Sequence, residues 1–145
     1  MKLQTTKSVH QTFDRFHPEN ITPKKNNFIW VFASDSAGRH TVGNAKIAHQ
    51  AFEAKYAVAN GMTGKAYAIT CYNKKNEPMP FEDVKQNILS FLNFAKSHPK
   101  VHFYITEFSG FNTQDVAVLF KDASENCCVP ESWKPTLLAL FLCKN

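Results

Sequence analysis

Residues 28–45 read FIWVFASDSAGRHTVGNA, and this stretch decides the fold. Its first six residues, 28–33, are all apolar, which predicts a strand buried on both faces. A polar loop follows and holds two of the chain's five glycines, Gly38 and Gly43. Small residues then recur at close to helical spacing over 43–57. The stretch therefore predicts a buried strand, a glycine-containing loop and a helix that packs closely on the sheet.

The remainder of the chain repeats this alternation. The predicted strands are 66–70, 101–106 and 127–129, and residues 60–64 are expected to connect into the first of these. The predicted helices are 81–97, 113–121 and 130–141, with Asn112 or Thr113 as the N-cap of the second. This order predicts an α/β fold, a three-layer α/β/α sandwich with a largely parallel or mixed central sheet. Residues 1–27 are polar and hold two prolines, so we expect a weakly structured N-terminal arm. Residues 28–145 are expected to form a single α/β domain.

Composition narrows the class of protein. The chain has 145 residues, a net charge of +5 and a pI of about 9.0. This balance is typical of a protein with a polyanionic partner, or of a solvated lysine-rich surface. The N-terminus lacks the apolar region of a signal peptide, and no run of 18 apolar residues occurs, so we expect a cytoplasmic protein that does not contact a membrane.

The cysteines and histidines give no pattern of metal ligands. The four cysteines form no C-x-x-C pair and no disulfide framework, which indicates buried, reduced thiols. They are Cys71, Cys127, Cys128 and Cys143. We expect no metal and no cofactor.

Ligands of a parallel sheet bind in the loops at the carboxyl ends of its strands. These loops are 34–42, 71–80 and 107–112. In the first, glycine allows a ligand to approach the backbone, and the start of a helix directs free N–H groups at it. Arg39 could pair with a phosphate through two hydrogen bonds. The spacing matches neither of the common phosphate-binding glycine motifs, so a plain strand-to-helix connection is the alternative.

The segment 31–46, VFASDSAGRHTVGNAK, resembles a pattern of small macrodomain-like proteins of phages and bacteria, V-F-G-S-N-L-A-G-R-H-G-A-G-A-A-K. The likeness covers roughly residues 28–134 and includes VHFYIT, DVAVLF and CVPESW. Macrodomains bind ADP-ribose or related nucleotides above such a sheet, and some hydrolyse ADP-ribosyl bonds or O-acetyl-ADP-ribose. The resemblance implies a nucleotide-type cleft between 34–44 and 107–112.

The residues expected to bind a ligand in this cleft come from both loops. They are Ser34, Asp35, Ser36, Gly38, Arg39, His40, Val42, Gly43, Asn44, Phe108, Ser109, Gly110, Phe111 and Asn112.

The chain departs from the pattern at positions that matter for phosphate. Asp35 stands where the pattern has an asparagine, and Thr41 where it has a glycine. Residues 106–112, TEFSGFN, replace the longer T-x-I-G-C-G-L-A-G-Y and keep a single glycine. A carboxylate repels phosphate, and lost glycines weaken a cradle of backbone amides. We therefore expect a degenerate, non-catalytic member of the family, of phage or mobile-element origin, that binds an ADP-ribose-like or other nucleotide-derived ligand.

No residue is assigned a catalytic role, although three alternatives stay open. Ser109 could couple with His40, Asp35 could form an acid pair with Glu107, and Cys71 could be a reactive thiol. For each of these residues a purely structural role is the alternative: a surface group, a helix cap or a buried thiol.

Three other functions remain. The protein could inhibit a host defence protein by direct contact, for which Phe108, Phe111 and Trp133 would supply exposed aromatic surface. It could be an ADP-ribosyl hydrolase. It could also bind nucleic acid through its lysine clusters at 24–25, 74–75 and 96–100. The expected partner is thus a nucleotide-derived small molecule or a host protein, met in the host cytoplasm if the gene belongs to a phage. The sequence is also compatible with a homodimer.

Overall fold

A computed structural model of the chain describes residues 15–17, 28–39 and 43–143, without the side chains of 141–143. These residues form an α/β fold with a six-stranded mixed sheet and four helices. The strands are β1 (Phe16–His17), β2 (Phe28–Asp35), β3 (Gly61–Thr63), β4 (Ala66–Tyr72), β5 (His102–Ile105) and β6 (Cys127–Pro130). The helices are α1 (Gly43–Ala51), α2 (Phe81–Ser97), α3 (Thr113–Leu119) and α4 (Lys134–Cys143), and a 3-10 turn covers Glu131–Trp133.

The strand order is β1-β6-β5-β2-β4-β3. All pairs are parallel except the edge pair of β3 with β4. Strand β2 lies inside the sheet, where Trp30 is opposite Ala66 on β4 and Tyr104 on β5. This central position explains why β2 begins as an uninterrupted apolar run. Because β2, β4 and β5 run parallel, their carboxyl ends share one edge of the sheet.

Two apolar clusters lie on the two faces of the sheet, because successive strand residues point to opposite sides. Val31 and Ala33 of β2 belong to the larger cluster, which includes side chains of α2, α3 and α4. Trp30 and Phe32 belong to the smaller one, which includes Ala48 and the other small residues of α1. The alanines of α1 thus pack on the sheet as the sequence predicts.

Several predicted elements are confirmed and others need correction. Helix α2 has the predicted bounds, and Asn112 caps α3 by accepting from the Asp115 N–H at 3.0 Å. The helix predicted over 43–57 ends instead at Ala51, because Glu53 and Ala57 adopt positive φ angles, which a helix does not allow. The segment at 61–63, expected as part of a connection, forms the antiparallel edge strand β3.

Part of the stretch expected as a weakly structured arm belongs to the sheet. The amide of Val129 donates to the Arg15 carbonyl at 2.8 Å. The Arg15 guanidinium in turn donates to the carbonyls of Cys127 and Ala123, at 3.1 and 2.9 Å. Residues 1–14 and 18–27 of the arm lie outside the described part of the chain.

Two of the three thiols whose side chains are described are buried, as predicted from the sequence. Cys71 and Cys127 are buried and Cys128 is partly buried, and none is in a disulfide. Burial raises the pKa of all three, that of Cys127 to about 11. No three His, Cys, Asp or Glu residues among those described could hold a metal ion together. Within the same residues, no helix is long and apolar enough to cross a bilayer.

Candidate functional site

An open cleft of about 490 Å³ lies at the carboxyl edge of the sheet. All three loops named from the sequence contribute to it, together with the first residues of α1. Its lining residues are Ala33, Asp35, Gly43, Asn44, Ala45, Tyr72, Asn76, Pro78, Glu107, Ser109 and Gly110. The structure therefore places a cavity where the sheet topology predicts one.

Asp35 ends β2 and organises the loop that follows. A register shift between Ser34 and Asp35 interrupts the pairing with β4. One oxygen of the buried Asp35 carboxylate accepts the backbone N–H groups of Ala37 and Arg39, at 2.9 and 3.2 Å. The other oxygen accepts from Arg39 Nε at 3.2 Å. The Asp35 carboxylate is thus used within its own loop.

Arg39 faces this loop and the β4–α2 turn rather than the cleft. Besides the Asp35 carboxylate, its guanidinium donates to the Lys74 carbonyl. Arg39 is not among the residues that line the cleft, although its side chain is 37% exposed. The residue expected to pair with phosphate therefore joins two loops.

The two glycines of the loop have different roles. Both have positive φ, +66° at Gly38 and +55° at Gly43. A Cβ on Gly38 would lie 2.6 Å from the backbone nitrogen of Val58, whereas a Cβ on Gly43 would meet nothing within 4 Å. Gly38 is buried and allows two segments of backbone to pack closely. Gly43 is exposed and opens the cleft at the start of α1.

The start of α1 forms one wall of the cleft. Its first backbone N–H groups have no acceptor within the helix, as at any helix N-terminus. Asn44 holds this end in place: its carbonyl accepts from Trp30 Nε1 at 3.0 Å. Its side-chain amide donates to the Glu107 carbonyl at 3.4 Å. The start of α1 and the third loop are thereby connected across the sheet edge.

The opposite wall consists of the second and third loops in contact. The Tyr72 hydroxyl donates to the Ser109 carbonyl. Burial, with a smaller contribution from Cys71, raises the pKa of Tyr72 to about 12, so this donor keeps its proton at neutral pH. A Cβ on Gly110, whose φ is +87°, would lie 3.2 Å from Pro78 Cγ. The glycine therefore lets the two loops approach.

Glu107 and Asp35 both line the cleft, yet their carboxylates have separate partners. Glu107 accepts from the Ser132 hydroxyl and, at 3.4 Å, from Trp133 Nε1 of the 3-10 turn. Asp35 is engaged by its own loop and Arg39. The arrangement described gives neither carboxylate a free position from which to serve in the acid pair considered from the sequence.

Several residues assigned to the site do not face the cleft. Ser34 is buried, and its hydroxyl donates to the Ala59 carbonyl. The exposed Ser36 donates its backbone N–H to the Tyr72 carbonyl at 2.8 Å. Phe111 packs on Tyr72, and Asn112 caps α3. His40 and Val42 lie outside the described residues, and so does the proposed couple of His40 with Ser109.

The aromatic residues require a correction. Phe108 and Trp133, expected to be exposed, are 5% and 1% exposed and pack with Phe120 in the larger core cluster. The physical reason is that β5 ends in the core. The first residues of the following loop therefore still have the apolar layer of α3 and α4 beside them. Phe108 is thus a core residue, and a ligand in the cleft cannot stack on it.

The sequence named the 71–80 loop as a rim but assigned none of its residues to the site. Tyr72, Asn76 and Pro78 line the cleft, as do Ala33, Ala45 and Glu107. The sequence feature that pointed to this loop was its position directly after a buried strand. Its contact with Ser109 and Gly110 depends on tertiary packing, which the spacing of residues does not reveal.

Comparisons of the chain with protein-family models, with curated proteins and with solved structures find no significant match.

Proposed function

We propose that this protein is a non-catalytic, macrodomain-like binder of a nucleotide-derived ligand of the ADP-ribose type, and that the cleft at the carboxyl edge of the sheet is its site. One observation carries the proposal: the three loops after β2, β4 and β5 enclose a cavity of ligand size together with the N-terminus of α1. The A-G-R-H segment supports the family assignment by resemblance.

The polar groups around the cleft suit recognition of hydroxyl and carbonyl groups. The backbone N–H groups at Gly43 and Asn44, the Asn76 amide and the Ser109 hydroxyl belong to lining residues. Each is a neutral hydrogen-bonding group. A few such groups in a partly apolar cavity fix the orientation of a small ligand and give it specificity.

Binding without turnover is favoured by the partners of the two carboxylates. A general base must be able to accept the proton of the attacking group in a productive pose. The hydrogen bonds of Asp35 to its loop and of Glu107 to Ser132 and Trp133 occupy oxygens that would otherwise accept it. Hydrolysis of an ADP-ribosyl bond is for this reason the weaker proposal.

Isothermal titration calorimetry tests the binding directly. We expect heat of binding with at least one member of a panel of ADP-ribose, nucleosides and linear or cyclic nucleotides. Ser109→Trp fills the cleft from an exposed position and should abolish that heat. Ser90→Trp places the same side chain on the exposed face of α2, outside the cleft, and should leave it unchanged. Absence of heat with the whole panel would contradict the proposal.

Inhibition of a host protein by direct contact is the second candidate, and one observation favours it. An open groove between α2 and α3 exposes Leu89, at 40%, beside Lys85, Lys96 and Lys121. If this groove binds the partner, Leu89→Asp should abolish the complex and Ser109→Trp should not. The opposite result would assign the partner to the cleft.

A further inference from the structure

The charge of the cleft lining restricts the part of a ligand that can enter it. Among the lining residues that the structure describes, Asp35 and Glu107 are the ionisable carboxyl groups. Within the described residues, which leave out 40–42, the lining contains no lysine, arginine or histidine. Of the chain that the structure describes, the cavity walls therefore offer no cation to a phosphate.

The two carboxylates differ in how far they are neutralised. Asp35 has an ion pair with Arg39, whose Nε lies 3.2 Å from its Oδ2. Glu107 accepts from the Ser132 hydroxyl and the Trp133 indole, which are neutral donors and leave its charge in place. Arg39, which lies between the lining residues Asp35 and Gly43 in sequence, is held by Asp35 and the Lys74 carbonyl. The lining therefore retains the negative charge of Glu107.

We propose that the cleft binds the uncharged nucleoside portion of its ligand and that phosphate groups add nothing to the affinity. This inference rests on the proposed function and specifies its ligand class. Sugar hydroxyls both donate and accept hydrogen bonds, so they suit the mixture of amide, hydroxyl and carboxylate groups in the lining. A phosphate in the cleft would meet the acidic residue Glu107, while the α1 N-terminus offers it a favourable dipole.

The test compares each of adenosine, guanosine, uridine and cytidine with its diphosphate, and adds ADP-ribose, by calorimetry at about 50 and about 300 mM sodium chloride. We expect the tightest-binding nucleoside to bind at least as well as its diphosphate. We also expect its affinity to change by less than about twofold between the two salt concentrations, because screening does not affect an uncharged ligand.

A charge variant isolates the cause. Glu107→Gln should improve binding of the diphosphate about three- to tenfold and leave the nucleoside within about twofold, since one repulsive charge is removed. Glu131→Gln removes the same charge from an exposed residue that does not line the cleft and should change neither.

The outcomes separate the two proposals. A diphosphate or ADP-ribose that binds about tenfold more tightly than the nucleoside, with affinity falling as salt rises, overturns the inference and leaves the proposed function standing. Equal responses of diphosphate and nucleoside to Glu107→Gln overturn it as well. No binding of any compound refutes the proposed function and the inference with it.

Discussion

The Asp35 carboxylate accepts from Arg39 Nε at 3.2 Å, and Asp35 also binds the backbone N–H groups of Ala37 and Arg39. Both charged residues could have contacted a ligand, but they bind each other and hold the loop closed. The Asp35 side chain is 9% exposed and that of Arg39 37% exposed. Their contributions to stability should therefore be unequal.

We expect Asp35→Ala to lower the free energy of unfolding by about 2 kcal/mol, because it leaves two loop amides without their acceptor. Arg39→Ala should cost less than about 1 kcal/mol, since a half-exposed ion pair contributes little and the loop amides keep their acceptor. Urea denaturation followed by circular dichroism measures both. Equal losses would contradict the role given to the loop hydrogen bonds.

Gly38 and Gly43 provide a matched pair of variants. Gly38→Ala should destabilise the protein by about 2 kcal/mol or more, because the new methyl group would overlap the backbone of Val58 and the residue has a positive φ. Gly43→Ala has the same backbone penalty but open space around the methyl, so about 1 kcal/mol is expected. Thermal unfolding of the two variants compares them. A larger loss of stability in Gly43→Ala than in Gly38→Ala would contradict the close backbone packing described at Gly38.

Asn126 is a buried residue whose side-chain amide binds three backbone carbonyls at and just after the end of α2. Its side-chain nitrogen lies 3.0, 2.9 and 2.8 Å from the carbonyls of Ala95, His98 and Val101. Asn126→Asp should cost about 3 kcal/mol or more, because an acceptor would face these three acceptors. Asn93→Asp, at an exposed position of α2, is the control and should stay within about 0.5 kcal/mol in chemical denaturation.

The Cys127 thiol should make the free energy of unfolding depend on pH in the alkaline range. Burial raises the pKa of its thiol from 9.0 to about 11, although Ser124 and Arg15 oppose the shift. A raised pKa means that the folded state holds the proton more tightly, so this stabilisation is complete below about pH 9 and is lost as the pH rises towards about 11. The loss from this group should reach about 1 to 3 kcal/mol. Cys127→Ala should show a flatter decline between these pH values, and an identical slope would contradict the assignment.

The sequence predicted those parts of the fold that depend on local pattern. The buried run of β2, the amphipathic helix α2 and the Asn112 cap each follow from the spacing or chemistry of neighbouring residues. The early end of α1 at Ala51 was missed because its cause is the positive φ of Glu53, which apolar spacing does not encode. The edge strand β3 was missed because three residues carry too little pattern.

The location of the site could be predicted from the sequence, whereas most of the side chains that line it could not. Parallel topology brings the three loops to one edge, so the rim followed from strand order. The orientation of Arg39 away from the cleft depends on Asp35 and the Lys74 carbonyl, which lies 35 residues away in sequence. The burial of Phe108 depends on Phe120 and Trp133. Contacts of this range cannot be read from one loop.

The central claim is that the cleft binds a nucleotide-derived ligand, and a ¹H–¹⁵N NMR titration of the full chain locates the binding directly. With the tightest-binding compound of the calorimetric panel, we expect the amide signals of Gly43, Asn44, Ser109 and Gly110 to shift with a common saturation curve, while Leu89 on α2 stays unmoved. In Ser109→Trp these shifts should vanish. Saturable shifts centred on α2 and α3, or no shifts with any compound of the panel, would contradict the account.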